Sequence, residues 1–234
     1  NLFIKVNWIK TVYFNFKMFP YEIAVKLPVF FYGKVKVQSL KGSVQIDSPI
    51  ERGMIGFGKK FEKQSVSKGI SEVCVKGKIV FKGRALFGKD YFIYVEKDAI
   101  LQIGSMSGMG SNTKLICMNK IILGDNVRIS YETQLMDSNF HQMFDTETGE
   151  RFPIKGTINI GDFNFIGNRV TVLPNTETNK NVTIASNSLC NNNYYELGEY
   201  ILLGGIPAKF IRKNFSRDWE SEKNQNFMDI WLKI

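Results

Sequence analysis

Residues 158–190 read INIGDFNFIGNRVTVLPNTETNKNVTIASNSLC, and every sixth position in them is Ile160, Ile166, Val172, Thr178, Ile184 and Cys190. Two residues before each anchor lies a second series, Ile158, Asn164, Val170, Thr176, Val182 and Ser188. Side chains two apart on a strand share a face, so each hexad turns a pair of residues inward. The residue after an anchor is small or turn-forming, as at Gly161, Gly167, Asn179, Ala185 and Asn191, and Gly and Asn accept the positive φ of tight corners. A helical pattern with a period near 3.6 does not keep this register. The stretch predicts an all-β solenoid in which short strands joined by corners stack coil upon coil.

Upstream the same spacing runs through Cys117, Leu123, Ile129 and Leu135, preceded at the same offset by Leu115, Ile121, Val127 and Thr133. Leu135 and Ile160 are 25 residues apart, so one hexad step has been expanded into a loop over 136–157. That loop carries His141, the one histidine of the chain, and loops on a rigid scaffold are where chemistry concentrates.

The chain has 234 residues, 44% hydrophobic and 13% aromatic, enough for a packed core and too apolar for a disordered chain. Cys74, Cys117 and Cys190 form no CxxC pair, and two of them sit on anchors. They read as small buried hydrophobes in a reducing compartment, and with one histidine no metal is expected to be required. The net charge of +9 is concentrated in residues 34–89, where thirteen Lys and Arg face four Asp and Glu. Such a belt attracts anions or an acidic leaflet, or is a solvated face. No nucleic-acid motif is present, so no nucleic acid is expected as a partner. No run of about 18 uncharged apolar residues occurs. The expectation is therefore a cytoplasmic protein, with the inner face of the membrane as an open location.

Residues 1–33 mix aromatics with spaced lysines and support two readings: a cap over the end of the solenoid, or a membrane-contacting segment inserting Trp8, Phe14, Phe16 and Phe19. The expected division is an N-terminal cap segment over 1–50, a β-helix over 51–212 carrying the inserted loop, and a C-terminal helix over 213–234. Within the second unit, Ile79, Ala85 and Tyr91 follow the six-residue spacing loosely, and 105–114, SMSGMGSNTK, reads as a loop between coils. Ser216 is the expected cap of the last helix, whose apolar spacing is Phe227, Ile230, Trp231 and Ile234.

The hexads with IGDFNFIGNRVTVLPN, the DSNFH loop and the terminal GGIPAKFIRK together resemble the hexapeptide-repeat acyltransferases, and among them the bacterial O-acetyltransferases of surface polysaccharides. The resemblance covers roughly 75–213. It implies a left-handed parallel β-helix, a homotrimer, and acetyl-coenzyme A in a groove between subunits as acyl donor to a sugar or glycan hydroxyl, anionic or carrier-linked. It makes His141 the general base, with Asp137 as its orienting or acceptor-binding neighbour and Asn139 as a weaker candidate for binding the acceptor; read from the loop alone, Asp137 is equally a loop cap. It assigns Gly167, Asn168, Ala185, Ser186, Lys209 and Arg212 to the coenzyme, and Phe165, standing where the family has Trp, to the groove wall. Thr178 and Asn179 replace an Ile-Gly pair and suggest a looser coil. Histidine suits proton removal because its ordinary pKa lies near working pH. A nucleotide-sugar N-acetyltransferase and a non-catalytic scaffold stay open as alternatives. A zinc site of the carbonic anhydrase type needs about three histidines, which the one histidine of this chain does not supply unless subunits share it, and is disfavoured.

Overall fold

The structure, a computed structural model, describes residues 5–59 and 69–224. Among the described residues the strands fall into sheets of nine, seven and six, visited in rotation, and all pairs are parallel except the last in the nine-stranded sheet. This is the solenoid expected from the hexads and the left-handed parallel β-helix implied by the family resemblance. Every anchor and every residue of the second series is buried, from Cys117 and Leu115 to Cys190 and Ser188.

Coil length explains where the hexads are legible. Ile166 stacks on Ile184 and Val172 on Cys190, eighteen residues on, which is three hexads. In earlier coils the step is longer: Met109 stacks on Ile129 at twenty residues and Ile93 on Leu115 at twenty-two. The added residues sit in the corners and blur the period. They also widen the interior, which larger side chains fill. Phe31, Phe57 and Phe87 stack on one another in register, with ring centroids 5.1 and 4.4 Å apart, and their column continues through Met109, Ile129, Ile166 and Ile184. Close packing demands that match of side-chain volume to coil width.

Four expectations are corrected. The parallel ladders start at Val29, and Val35–Leu40 and Ser43–Ile46 are strands of the first coil, so the cap proper is shorter than 1–50. Ser107–Met109 is a strand and not part of a loop, because the buried Ser107 hydroxyl donates to the Gly124 carbonyl at 2.7 Å and accepts from the Val127 N–H at 3.0 Å. The C-terminal helix begins with Asp218, which accepts from the Ser221 N–H at 3.0 Å, as its cap in place of Ser216. Phe227, Ile230, Trp231 and Ile234 lie outside the described residues. Thr178 does not loosen its coil: the strand keeps its register and the hydroxyl accepts from the Gly161 N–H at 3.2 Å.

The nine-stranded sheet is covered at its first strand by a helix and ends at the other side in an exposed antiparallel strand. Helix α1, Trp8–Met18, lies over the first strand, Val29–Phe31. Asn15 donates to the Val29 carbonyl at 2.7 Å and accepts from the Val29 N–H at 3.2 Å, while the Thr11 hydroxyl accepts from the Phe31 N–H at 3.0 Å. Phe14 and Phe19 are buried with them, so of the aromatics named for membrane insertion these two fill the cap. At the other end Lys209–Lys213 folds back antiparallel on Ile201–Gly204. The helix covers an edge of the first strand that would otherwise template association.

Candidate active site

The inserted loop leaves the corner between the seven-stranded and six-stranded sheets, after Gln134–Met136 and before Thr157–Ile160. It is a two-stranded arm, pinned by antiparallel bridges between Ser138 and Lys155 and between Phe144 and Arg151. At its tip the Asp145 carboxylate accepts from the N–H groups of Glu147 and Thr148 at 2.8 and 2.7 Å. Phe140 sits at φ 60°, and the His141 N–H donates to the Asn139 carbonyl at 2.7 Å. This tight turn is an unusual conformation for a bulky residue, and it leaves the His141 side chain exposed on the arm with Asn139. Phe140, Met143, Phe144 and Phe152 are exposed on the same arm.

Asp137 lies at the base of the arm, next to Met136 of the strand before it. It is fully buried, and its carboxylate accepts from the backbone N–H of Met118 at 2.6 Å and of Asn119 at 2.9 Å, with the Cys117 Sγ at 3.7 Å. Burial, and secondarily the Asp137 charge beside it, push the Cys117 thiol well above its usual range. The carboxylate thus ties the base of the arm to the corner of the preceding coil.

The residues assigned to the coenzyme gather at a different corner, between the nine-stranded and seven-stranded sheets. Gly167 and Asn168 follow Phe165–Ile166; Ala185 and Ser186 follow Thr183–Ile184 one coil on. The Ser186 hydroxyl donates to the Asn168 side-chain oxygen at 2.6 Å. A Cβ on Gly167 would lie 2.7 Å from the Ser186 nitrogen, so only glycine permits this stacking. Gly204 continues the ladder above Ala185. Lys209 pairs with Gly204 and Arg212 with Leu202, and the register shift between them places both cations on one face of the strand. Gly167, Asn168, Ala185, Ser186 and Lys209 are therefore on successive layers of one edge, while Arg212 lies beside it in the column of Phe165, Thr183 and Leu202. Phe165 is half-buried on the adjoining face, with the Arg217 guanidinium 4.9 Å above its ring.

Within one protomer this edge and the arm are separated by the width of the seven-stranded sheet, roughly six residues or about 20 Å. Two residues not foreseen from sequence lie here, Tyr131 on the edge and Arg217 on the adjoining face over Phe165. Tyr131 is exposed and occupies, after Ile129, the position that Asn168 and Ser186 hold after their own anchors. Hexad counting alone places it there. Arg217 comes from the C-terminal segment, and nothing in its spacing marks it.

No protein-family model matches the sequence. Over 71 residues the chain is 38% identical to a probable macrolide acetyltransferase of Lysinibacillus sphaericus, covering 30% of this chain and 38% of that relative. The match thus spans little more than a third of the relative's length. Among solved structures, the polySia-specific acetyltransferase NeuO superposes with a TM-score of 0.52 at 15% identity, over 87% of this chain and 96% of its own. The polysialic acid O-acetyltransferase OatWY gives 0.50 at 16% identity, over 84% and 98%. At these identities the likeness establishes the fold: the chain is built on the hexapeptide-repeat β-helix that these acetyltransferases share.

Proposed function

We propose that this hexapeptide-repeat β-helix protein transfers an acetyl group from acetyl-coenzyme A to a hydroxyl of a sugar or glycan, in the synthesis of a surface polysaccharide. The observation that carries the reading is the placement of the chain's one imidazole, exposed on an arm inserted at the single long interruption of the hexads. The acetyl thioester enters as a second substrate. The edge through Gly167, Ala185 and Gly204 suits an extended pantetheine chain, because small residues let it approach the backbone, and Lys209 with Arg212 supply phosphate partners on one face.

In this reading the active unit is a homotrimer, and His141 of one subunit serves the coenzyme edge of the next. Separation of arm and edge in one protomer supports that arrangement, as do the exposed apolar side chains of the arm. His141 accepts the proton of the acceptor hydroxyl as its oxygen attacks the thioester carbonyl. Backbone N–H groups at a coil corner hold the negative charge that develops on the carbonyl oxygen. The carbon–sulfur bond then breaks, and the departing thiolate takes the proton from the imidazolium. Asp137 holds the arm that carries the base.

The test is thiol release from acetyl-coenzyme A by the purified protein with a panel of sugars and polysialic acid. His141→Ala is expected to lower turnover by ~10²–10⁴, the worth of a positioned base. The transferred acetyl should leave on mild alkali, as an ester does and an amide does not. Full turnover by His141→Ala, or no release with any acceptor, contradicts the proposal, and an alkali-stable product assigns transfer to nitrogen.

A further inference from the structure

Helix α1 is built the reverse of a solvated cap. Its neutral polar residues Thr11 and Asn15 are fully buried and spent on the backbone of the first strand, whereas its outward side is apolar. Residues advance by about 100° around a helix, which sets Val12, Phe16, Ile9 and Tyr13 side by side on one arc with Lys17 and Lys10 along its edge. All four apolar members are exposed, Ile9 at 82%. Tyr21, 71% exposed with its ring 6.2 Å from that of Phe16, and Val25 extend the patch. The capping hydrogen bonds fix the helix in this roll, so the apolar arc is a permanent surface.

The charge around it has one sign. Residues 1–41 contain seven lysines and a single carboxylate, Glu22. Beside the helix runs a groove of about 450 Å³ lined by Ile9, Lys10, Tyr13, Val37 and Leu40, and Lys17 and Lys41 line its continuation. Of the acids of the basic belt, Asp47 is paired with Lys82 at 2.7 Å, outside this stretch, and Glu72 pairs with Lys36 at 3.8 Å and so offsets one of the seven lysines. Aromatic and aliphatic side chains flanked by lysines are the composition that binds acidic lipid surfaces. No helix among the described residues is long and apolar enough to cross a membrane.

We propose that the outward face of α1 docks the protein on an anionic bilayer, with Ile9, Val12, Tyr13, Phe16 and Tyr21 at the acyl boundary and Lys10, Lys17 and Lys41 on lipid phosphates. The stack then stands away from the membrane: the first strand is five layers from Phe165–Ile166, about 24 Å at the usual strand spacing. The inference does not depend on acetyl transfer.

The test is co-sedimentation of the full chain with vesicles of equimolar phosphatidylglycerol and phosphatidylcholine, against pure phosphatidylcholine, with light scattering on the same samples. Binding is expected to the anionic vesicles and to weaken as salt is raised. Ile9→Ser and Phe16→Ser remove exposed side chains that the core does not use, and each is expected to weaken binding about tenfold. Lys10→Glu with Lys17→Glu should weaken it at least as much, and Lys10→Arg with Lys17→Arg should not. Failure of the unaltered chain to bind, equal binding to neutral vesicles, or indifference to the serine variants would overturn the proposal. So would a drop in oligomer size in the serine variants, which would assign the face to a second copy of the chain.

Discussion

Replacing Asp137 separates a structural carboxylate from a chemical one. The side chain gives its two oxygens to the N–H groups of Met118 and Asn119 at 2.6 and 2.9 Å. A hydrogen bond to a charged group contributes about 1.5–3 kcal/mol, and a buried donor left without a partner costs more. Asn119 is exposed and Met118 half-buried, so water recovers part of the loss after truncation. Asp137→Ala is therefore expected to lower stability by about 2–4 kcal/mol, a fall in Tm of roughly 5–15 °C for a chain of this size. Asp137→Asn keeps one acceptor but turns an amide N–H₂ toward a backbone N–H, and should lose about half as much. Urea unfolding and calorimetry read these changes, and acetyl transfer is measured at a temperature where each variant is folded. Turnover should fall less than tenfold, because the carboxylate acts by holding the arm. An Asp137→Asn protein with an unaltered unfolding midpoint and a turnover as low as that of His141→Ala would refute the reasoning.

Gly167→Val places a Cβ 2.7 Å from the Ser186 nitrogen and 3.0 Å from the Ile184 carbonyl oxygen. Both neighbours are backbone, so the coils must part, at about 1–3 kcal/mol measurable as a lower urea midpoint. The Tyr94 hydroxyl and then the Lys97 N–H hold the Glu96 carboxyl at about 2, below its ordinary 4.5. A depressed carboxyl stabilises the fold above its ordinary value and loses that contribution as pH falls toward about 2. Glu96→Gln should accordingly flatten the acid limb of stability against pH, and an unchanged limb would contradict the assignment. The three cysteines are buried, and burial raises the Cys190 thiol to about 12. A thiol-specific disulfide reagent should find none of them in the folded chain at mildly alkaline pH and all three after denaturation.

The solenoid was legible where the coil is three hexads long, because eighteen residues return each anchor to its own column. It was less legible between Val29 and Met109, where longer corners shift the column and the widened core accepts Phe and Tyr91 in place of Ile and Val. Ser107 and Gly108 looked like loop residues since sequence does not show the coil above, whose Gly124 and Val127 satisfy the serine. His141 stood out from the interruption of the hexads, and Gly167 and Ala185 from the corners, whereas the coenzyme role of that edge is what the family resemblance implies. For Asp137 a loop cap and a catalytic neighbour were both open in the sequence, and the backbone partners it holds lie eighteen and nineteen residues earlier, on the preceding coil. The cap was an open choice in the sequence. The structure gives one side of α1 to the strand backbone and leaves the other side apolar and exposed.

The central claim, that the imidazole of one subunit works at the coenzyme edge of another, is tested most directly by hybrid oligomers. His141→Ala lacks the base, and Ser186→Trp obstructs the edge at an exposed position away from the arm. Each alone should be inactive. Co-refolded in equal amounts, they should recover activity at about a quarter of the sites, the share expected for random mixing around a closed ring. Hybrids confirmed by mass spectrometry that recover no activity would contradict the account.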